Sequence, residues 1–257
     1  MRSYLYAIAT ATVLIAAAPA AEFELAYIGS ADSASLRGLK LGIDESNHQG
    51  AFLDVKLKLT ELTGETVPDG AVAVFVDRPG SITDVAAGAG GRAVFNLSDD
   101  SDELRSACLA NALHIIPSAK MRADAVAQWQ AGNPGSKVSA AAWHSAAVKF
   151  AARDLNRRYS DLYGSPMDGL AWAGWFAARA VGDTLMREPA SDAAALLEAL
   201  KQADGLDGQK GDPHSFRASG QLRQPLVLVG AAGELLGEAP VRGAQGGLDS
   251  LGSSPCQ

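Results

Sequence analysis

Two serines stand where a backbone could bind an anion. Ser81 and Ser98 each lie at or just before a predicted helix start, where free backbone N–H groups can hold a carboxylate. Serine is also a preferred residue for capping a helix start, so capping is the alternative for both positions. Asp99 and Asp100 follow Ser98 directly, and their charges would repel an anionic ligand.

The acidic run 99–103, "DDSDE", offers carboxylates of the kind that bind Ca²⁺ or a lanthanide. It lacks the ligand spacing of an EF-hand loop, the glycine at the sixth position and the closing glutamate. The alternative is a solvated helix start, where acidic side chains interact favourably with the helix dipole. We therefore predict no metal site.

No arrangement of residues indicates catalysis. The four histidines, at 48, 114, 144 and 214, form no HExxH or other paired pattern. The sequence contains no GxSxG elbow, P-loop or CxxC motif. The run 230–237, "GAAGELLG", falls between two predicted strands and is typical of a turn. We predict a protein that is not an enzyme and needs no cofactor.

The run 216–225, "FRASGQLRQP", carries four planar, hydrogen-bonding side chains. Guanidinium and amide groups of this kind can face a protein partner or its carboxylates. Alternatively, the run is a hairpin whose arginines pair with acidic neighbours in the same lobe. Both interpretations stay open for Arg217, Gln221, Arg223 and Gln224.

Residues 1–21 have the three parts of a signal peptide. Arg2 supplies the positive charge, 5–17 is an apolar stretch, and 18–20 are small residues suited to cleavage. The apolar stretch is shorter than the roughly 20 residues of a membrane span. We expect a mature chain that begins near residue 22, works outside the cytoplasm and is not inserted in the membrane.

Charge and cysteine content narrow the range of partners. The net charge is −7, which argues against nucleic acid or anionic lipid because both bind basic surfaces. The only two cysteines are Cys108 and Cys256. In an exported chain an even number of cysteines favours a disulfide, and two free thiols are the alternative.

The first half of the chain alternates between strand and helix patterns. The run 54–62 alternates polar and apolar residues, as a half-exposed outer strand does, whereas 71–77 is continuously apolar and indicates a central parallel strand. The pattern predicts an α/β fold with one doubly wound, mostly parallel five-stranded sheet. The predicted strands are 23–30, 54–62, 71–77, 92–98 and 112–118; the predicted helices are 35–47, 81–89, 99–109 and 119–131.

The second half predicts additional helices and a hairpin. One long amphipathic helix is expected over 139–164, buried through Trp143, Val148, Phe150, Leu155, Tyr159 and Leu162, with Gly164 as its stop. Pro166 should begin a second helix, whose apolar residues and glycines indicate burial. The remaining predicted elements are a helix over 191–203 capped by Ser191 or Asp192, a hairpin over 215–237 and an irregular tail over 242–257.

Several runs carry a resemblance to a known family. They are "SLRGLKLGIDESN", "ALHIIPSAKMRADAVAQW", "YGSPMD", "FRASGQLRQP" and the tail "LDSLGSSPC", which occur in the expected order. The chain resembles the leucine/isoleucine/valine-binding group of periplasmic solute-binding proteins, which have the two-lobed type I fold. More narrowly, it is similar to the substrate-binding proteins of ABC transporters linked to PQQ-dependent alcohol dehydrogenase systems.

The resemblance implies where a ligand would lie. In the family, the first lobe contacts the ligand through the loops after its third and fourth strands. The corresponding residues here are Asp77, Arg78, Ser81, Ser98, Asp99 and Asp100.

The resemblance also implies that a large part of the family fold is missing. Members carry an entire second lobe between the segments that meet here at 132–137, so this run looks like a bypass. We therefore expect a single α/β lobe over 22–241.

A single lobe leaves any ligand half exposed, which weakens its polar contacts. Our first hypothesis is a non-catalytic, periplasmic accessory module whose partner is a PQQ-dependent dehydrogenase or its cytochrome. The alternative is an ABC-transporter substrate-binding protein that works with a permease and binds a small molecule weakly or as a dimer.

Overall fold

The computed structural model describes residues 21–187, 192–253 and 256. The predicted signal peptide therefore lies, apart from Ala21, outside the described residues. None of the helices found in this part of the chain is long and apolar enough to cross a membrane.

A parallel five-stranded sheet forms the centre of the fold, as predicted. The strand order across the sheet is β2-β1-β3-β4-β5. The alternating run 54–62 therefore lies at an edge as β2, and the continuously apolar run 71–77 lies in the middle as β3. β5 ends at His114, earlier than predicted, and Gln221 pairs with His114 beside it. The strands are β1 (Ala21–Gly29), β2 (Val55–Leu62), β3 (Ala71–Asp77), β4 (Ala93–Asn96) and β5 (Ala112–His114).

Helices cover both faces of this sheet, which confirms the doubly wound arrangement. One face packs Leu25, Phe75 and Phe95 against α1 and α6, and the other packs Ile28 and Val74 against α2 and α3. The helices are α1 (Ala34–Gly50), α2 (Ile82–Gly88), α3 (Asp102–Ser106), α4 (Ala119–Gly132), α5 (Ala152–Tyr163), α6 (Gly169–Arg187) and α7 (Ala193–Gln202). α3 is shorter than the predicted 99–109, because Asp99–Ser101 form a polar loop before it.

Glycines bring α1 and α6 into close contact. A Cβ atom on Gly38 would lie 1.8 Å from the carbonyl oxygen of Ala171, and one on Gly174 would lie 1.9 Å from that of Ser35. The two backbones therefore approach to a distance that any side chain at these positions would prevent. This confirms the predicted burial of the apolar helix α6. Just before the helix, the carboxylate of Asp168 accepts the backbone N–H of Ala171 at 2.8 Å.

The predicted long helix over 139–164 is wrong in its first half. Residues Val138–Ala141 form strand β6, and only Ala152–Tyr163 are helical. Phe150 and Ala151 adopt left-handed backbone angles, φ +53° and +68°, which a continuous right-handed helix cannot include. Three of its expected buried residues are exposed by more than half: Val148 (53%), Phe150 (57%) and Leu162 (60%). The helix after it begins at Gly169 rather than at Pro166.

A second, small sheet explains the strand at 138–141. β6 pairs antiparallel with β9 (Leu226–Gly230), and β9 pairs with β10 (Leu235–Ala239). α4 covers one face of this sheet and buries Met121 and Ala125 against β9. The run 132–137, which we predicted to be a bypass, forms the end of α4 and the short turn that connects α4 to β6.

The predicted single hairpin over 215–237 is two hairpins. β7 (Ser215–Phe216) pairs with β8 (Leu222–Arg223), and β9 pairs with β10. Gly220, at φ +75°, closes the first turn against the carbonyl oxygen of Ala112.

Asp192 caps α7 through the N–H of Ala195 at 2.9 Å, whereas Ser191 lies outside the described residues. In the described part of the tail, Gly247–Ser250 form a 3₁₀ turn and the other residues are irregular.

Candidate functional site

The loops after β3 and β4 contact each other at the carboxyl ends of the strands of the main sheet. The carboxylate of Asp99 accepts the backbone N–H of Gly80 at 3.0 Å and that of Ser101 at 3.0 Å. Burial opposes ionisation of Asp99, but these two N–H groups, together with the Ser101 side chain and the charge of Arg105, lower its pKa. A carboxylate of the chain itself thus occupies backbone donors that an anionic ligand would use.

The other predicted ligand residues of the β3 loop are also bonded within the chain. Asp77 accepts hydrogen bonds from Tyr27 at 3.2 Å and from Ser35. Arg78 pairs with Glu65 at 3.2 Å, and the hydroxyl of Ser81 donates to the same carboxylate at 2.5 Å. The bonds from Ser81 and then Arg78 lower the pKa of Glu65.

In the β4 loop, Asp100 pairs with Arg122 at the start of α4. The Ser98 hydroxyl is buried and has no hydrogen-bond partner among the described residues. Neither Ser81 nor Ser98 caps a helix through its side chain. The six residues predicted from the family pattern therefore do lie on two touching loops, and their role in ligand binding remains a prediction.

The acidic run 99–103 has structural contacts of its own. Asp102 accepts the backbone N–H of Lys120 at 3.1 Å, at the start of α4. Within the described ranges, no three His, Cys, Asp or Glu side chains converge as metal ligands would.

The polar run 217–224 points into the protein. Arg217 is 4% exposed and pairs with Asp249 at 3.0 Å. Gln221 donates to the carbonyl oxygens of His114 and Ile116, and Gln224 donates to that of Ile115 at 2.5 Å. These bonds connect the first hairpin to the end of β5.

Arg223 also pairs with Asp249, at 2.8 Å, and keeps part of its side chain exposed. The arginines thus show the second of the two alternatives, pairing with an acidic neighbour of the same lobe. Arg217, Gln221 and Gln224 are buried in this conformation, which leaves Arg223 as the exposed member of the predicted partner-binding set. Partner binding through Arg223 remains a prediction.

The predicted disulfide is present between Cys108 and Cys256, whose Cα atoms are 5.9 Å apart. It fixes the tail beside the start of the loop before β5. Arg217 holds the same tail through the carbonyl oxygens of Leu248 and Leu251 at 2.8 and 2.7 Å.

A pocket of about 290 Å³ lies beside the small sheet, away from the two predicted ligand loops. Its walls come from the loop that follows β6, from the segment around Lys210 and from β9 and β10. The lining is mainly apolar and includes Trp143, Val148, Phe150, Val227, Leu235 and Leu236.

Lys210 is the buried charged group of this pocket. It is 9% exposed, and its Nζ donates to the amide oxygen of Gln224 at 2.7 Å and to the carbonyl oxygen of Pro225 at 3.3 Å. The same atom lies 3.4 Å from the centre of the Trp172 ring, where an ammonium group is favoured. Burial lowers the pKa of Lys210 well below its ordinary value, and Glu238 at the pocket opposes this effect.

His214 packs against the rings of Trp172 and Phe176, with centroids 6.0 and 5.3 Å away, and these two rings also stack on each other. Neither of its ring nitrogens has a hydrogen-bond partner within the described chain. Burial, reinforced by the charge of Lys210, lowers the pKa of His214 to about 3. Sequence reasoning missed this site because Lys210 and His214 fall in a Gly- and Asp-rich run, 204–214, that is typical of an exposed loop.

Comparison with known proteins identifies the fold. No protein-family model and no curated protein matches the chain. An ABC transporter substrate-binding protein from Desulfitobacterium hafniense superposes with a TM-score of 0.72 at 15% identity, over 84% of this chain and 100% of that one. A leucine-, isoleucine-, valine-, threonine- and alanine-binding protein from Brucella ovis gives 0.65 at 14% identity, over 86% and 94%.

A solute-binding protein of an ABC transporter from Rhodopseudomonas palustris, bound to 3,4-dihydroxybenzoic acid, gives 0.65 at 9% identity, over 84% and 97%. Similarity at this level of identity establishes the fold. The chain has the type I periplasmic-binding-protein fold, and its five-stranded sheet corresponds to one lobe of it.

Proposed function

We propose that this protein is a non-catalytic, solute-binding protein of the ABC-transporter type, which captures a small molecule and presents it to a permease. The observation that carries the proposal is the type I fold, shared over 84% of the chain with a substrate-binding protein at a TM-score of 0.72. Because fold alone does not fix function, the proposal also uses the apolar pocket with its buried lysine as a place where a ligand fits.

We further infer that the second lobe has been reduced to α4 and the small sheet. Two features support this inference. α4 and β6 follow β5 directly, and together with β9 and β10 from later in the chain they pack around a hydrophobic cluster separate from the two clusters of the main sheet. A reduced second lobe cannot close over a ligand as a full lobe does, so we expect weak binding or binding by a dimer.

The site of action in this proposal is the periplasm. The signal-peptide pattern in 1–21 supports export, and a disulfide between Cys108 and Cys256 fits an oxidising compartment. Mass spectrometry of the protein from a periplasmic extract should find an N-terminus near residue 22 and no alkylatable thiol.

A second candidate is an accessory module of PQQ-dependent alcohol oxidation, with a quinoprotein dehydrogenase or its cytochrome as partner. The sequence resemblance suggests it, and the position of Asp99 favours it over a receptor for anionic solutes at the carboxyl ends of the strands. Because Asp99 already binds these backbone donors, they are not available to an anionic solute, and the surface formed by the β3 and β4 loops could contact a protein instead.

A thermal-shift screen of the purified mature chain separates the two candidates. The panel contains amino acids, short alcohols, aromatic and aliphatic acids, and PQQ. A solute-binding protein should gain stability by about 2.7 kcal/mol at a ligand concentration 100-fold above Kd, which appears as a higher Tm. If no compound raises the Tm while a quinoprotein dehydrogenase binds the chain stoichiometrically, the accessory role is correct instead.

A further inference from the structure

We propose that the pocket around Lys210, here called the Lys210 pocket, binds a monocarboxylate with an apolar body, such as a short-chain or single-ring organic acid. This inference rests on the proposed solute-binding function and assigns that function a place and a ligand class. The place differs from the loops after β3 and β4.

The first argument is charge. The Lys210 Nζ bonds the oxygens of Gln224 and Pro225 and lies 3.4 Å from the centre of the Trp172 ring, so a ligand carboxylate would replace one of these contacts. Within the described part of the chain, no carboxylate lies within ion-pair distance of this Nζ. Burial disfavours the charged form of Lys210, and a ligand carboxylate that enters the pocket would stabilise that form.

The second argument is the shape and lining of the pocket. A volume of about 290 Å³ lies near the lower end of small-molecule sites, which span about 300–1,000 Å³. The walls beside Lys210 are apolar: Trp143 and Val227 are buried, and the Phe150 ring lies against the backbone of Gly211. Such walls favour a ring or a branched alkyl chain on the ligand.

The third argument concerns the mouth of the pocket. Val148, Phe150 and Leu236 are large apolar side chains that stay exposed around it, and a ligand body would cover them. Glu238 also lines the pocket. Its charge repels any carboxylate that Lys210 does not offset, so we expect monocarboxylates to bind better than dicarboxylates of equal size.

Calorimetric titration with benzoate and 4-methylpentanoate tests the inference. Benzyl alcohol, which has the ring but no carboxylate, serves as the ligand control. We expect K210M to weaken benzoate binding at least tenfold, because methionine keeps the length and apolar stem but removes the charge. The matched control is K56M, which removes an exposed lysine on β2 that does not line the pocket and should change Kd less than twofold.

Methyl NMR of the wild-type chain locates the ligand without any substitution. Benzoate should shift the methyl signals of Val227, Leu235 and Leu236. Shifts confined to Ile82 and Leu104, beside the β3 and β4 loops, would overturn the inference and leave the solute-binding proposal standing. Equal affinity for benzoate and benzyl alcohol, or unchanged binding by a folded K210M, would overturn it too. If K210M does not fold, the wild-type mapping and the alcohol comparison decide.

The two proposals fail in different ways. If neither acid binds but another compound of the thermal-shift panel does, the inference about the Lys210 pocket is wrong and solute binding stands. If nothing in the panel binds, both are wrong.

Discussion

Two histidine side chains lie in the interior without charge. Burial lowers the pKa of His214 to about 3, and burial together with the charge of Arg105 does the same for His114. The unfolded chain takes up protons on these rings below its ordinary pKa of 6.5, whereas the folded chain resists until about pH 3. Stability is therefore complete above about pH 6.5 and falls as the pH is lowered towards 3.

We expect His214→Leu to reduce this acid sensitivity. Each buried histidine should cost about 2 kcal/mol of unfolding free energy between pH 7 and pH 5, because protonation favours the unfolded chain. Leucine has no ring nitrogen to protonate, and no hydrogen bond of His214 within the described chain is lost. Urea unfolding at the two pH values measures the difference, with the wild-type chain unfolded in parallel as the reference. An unchanged pH dependence in His214→Leu would contradict this account.

Asp99 should matter more for stability than its neighbour Asp100. Asp99→Ala leaves the N–H groups of Gly80 and Ser101 without their acceptor, which should cost about 1–3 kcal/mol. Asp100→Ala removes an ion pair with Arg122 that is partly exposed, and should cost less than about 1 kcal/mol. Urea unfolding of both variants makes the comparison, and equal losses would show that the loop contact is unimportant.

Sequence reasoning at the residue level found polar side chains but not their surroundings. It singled out Arg217 and Gln221 because their groups suit recognition, yet both are buried and bind the backbone of their own lobe. It passed over Lys210, because a lysine between glycines and aspartates is typical of a loop. Burial of a polar group depends on contacts with distant residues such as Trp172, which local spacing does not encode.

At the level of elements, the contact between α1 and α6 depends on two glycines. Gly38→Ala would place a Cβ atom 1.8 Å from the Ala171 carbonyl oxygen, so the helices must move apart. We expect a loss of about 3 kcal/mol or more in unfolding free energy, at or beyond the usual range for overpacking. Gly88→Ala in α2 is the control, since nothing lies within 4 Å of its added Cβ atom and it should be neutral or stabilising. Thermal unfolding followed by circular dichroism measures both, and a neutral Gly38→Ala would contradict the packing described.

The periodicity of 139–164 predicted a helix over the whole run, and the structure keeps it only from residue 152. The first part forms β6 because β9 offers an open edge with which to pair, and pairing between distant segments outweighs local helix propensity. The strands of the main sheet were predicted well, since their alternating and continuous apolar patterns come from burial in a sheet covered by helices.

Across the whole molecule, the disulfide connects segments 148 residues apart in sequence. Closing so long a loop restricts the unfolded chain and stabilises the fold by about 5 kcal/mol at most, with measured losses usually about 2–5 kcal/mol. We expect the double variant Cys108→Ser, Cys256→Ser to lose stability within that range while keeping its circular dichroism spectrum. Urea unfolding of the oxidised wild type against the variant measures the loss, and wild-type treated with reductant is the control. Stability unchanged by reduction would show that the bond contributes nothing.

The overall α/β architecture could be predicted because the regular alternation of strands and helices allows few topologies. The small sheet could not, because β6 and β9 are separated by three helices and each is too short to be distinctive. The resemblance to two-lobed binding proteins predicted a bypass at 132–137; the structure has a short connection from α4 to β6 there, and the reduction of the second lobe stays a proposal.

The proposed solute-binding function requires that the chain binds a small molecule. Isothermal titration calorimetry of the mature chain, with the compound that gives the largest thermal shift, tests that most directly. We predict saturable binding of one molecule per chain, or one per two chains if a second copy completes the site. The absence of saturable heat for every compound of the panel up to millimolar concentration would contradict it.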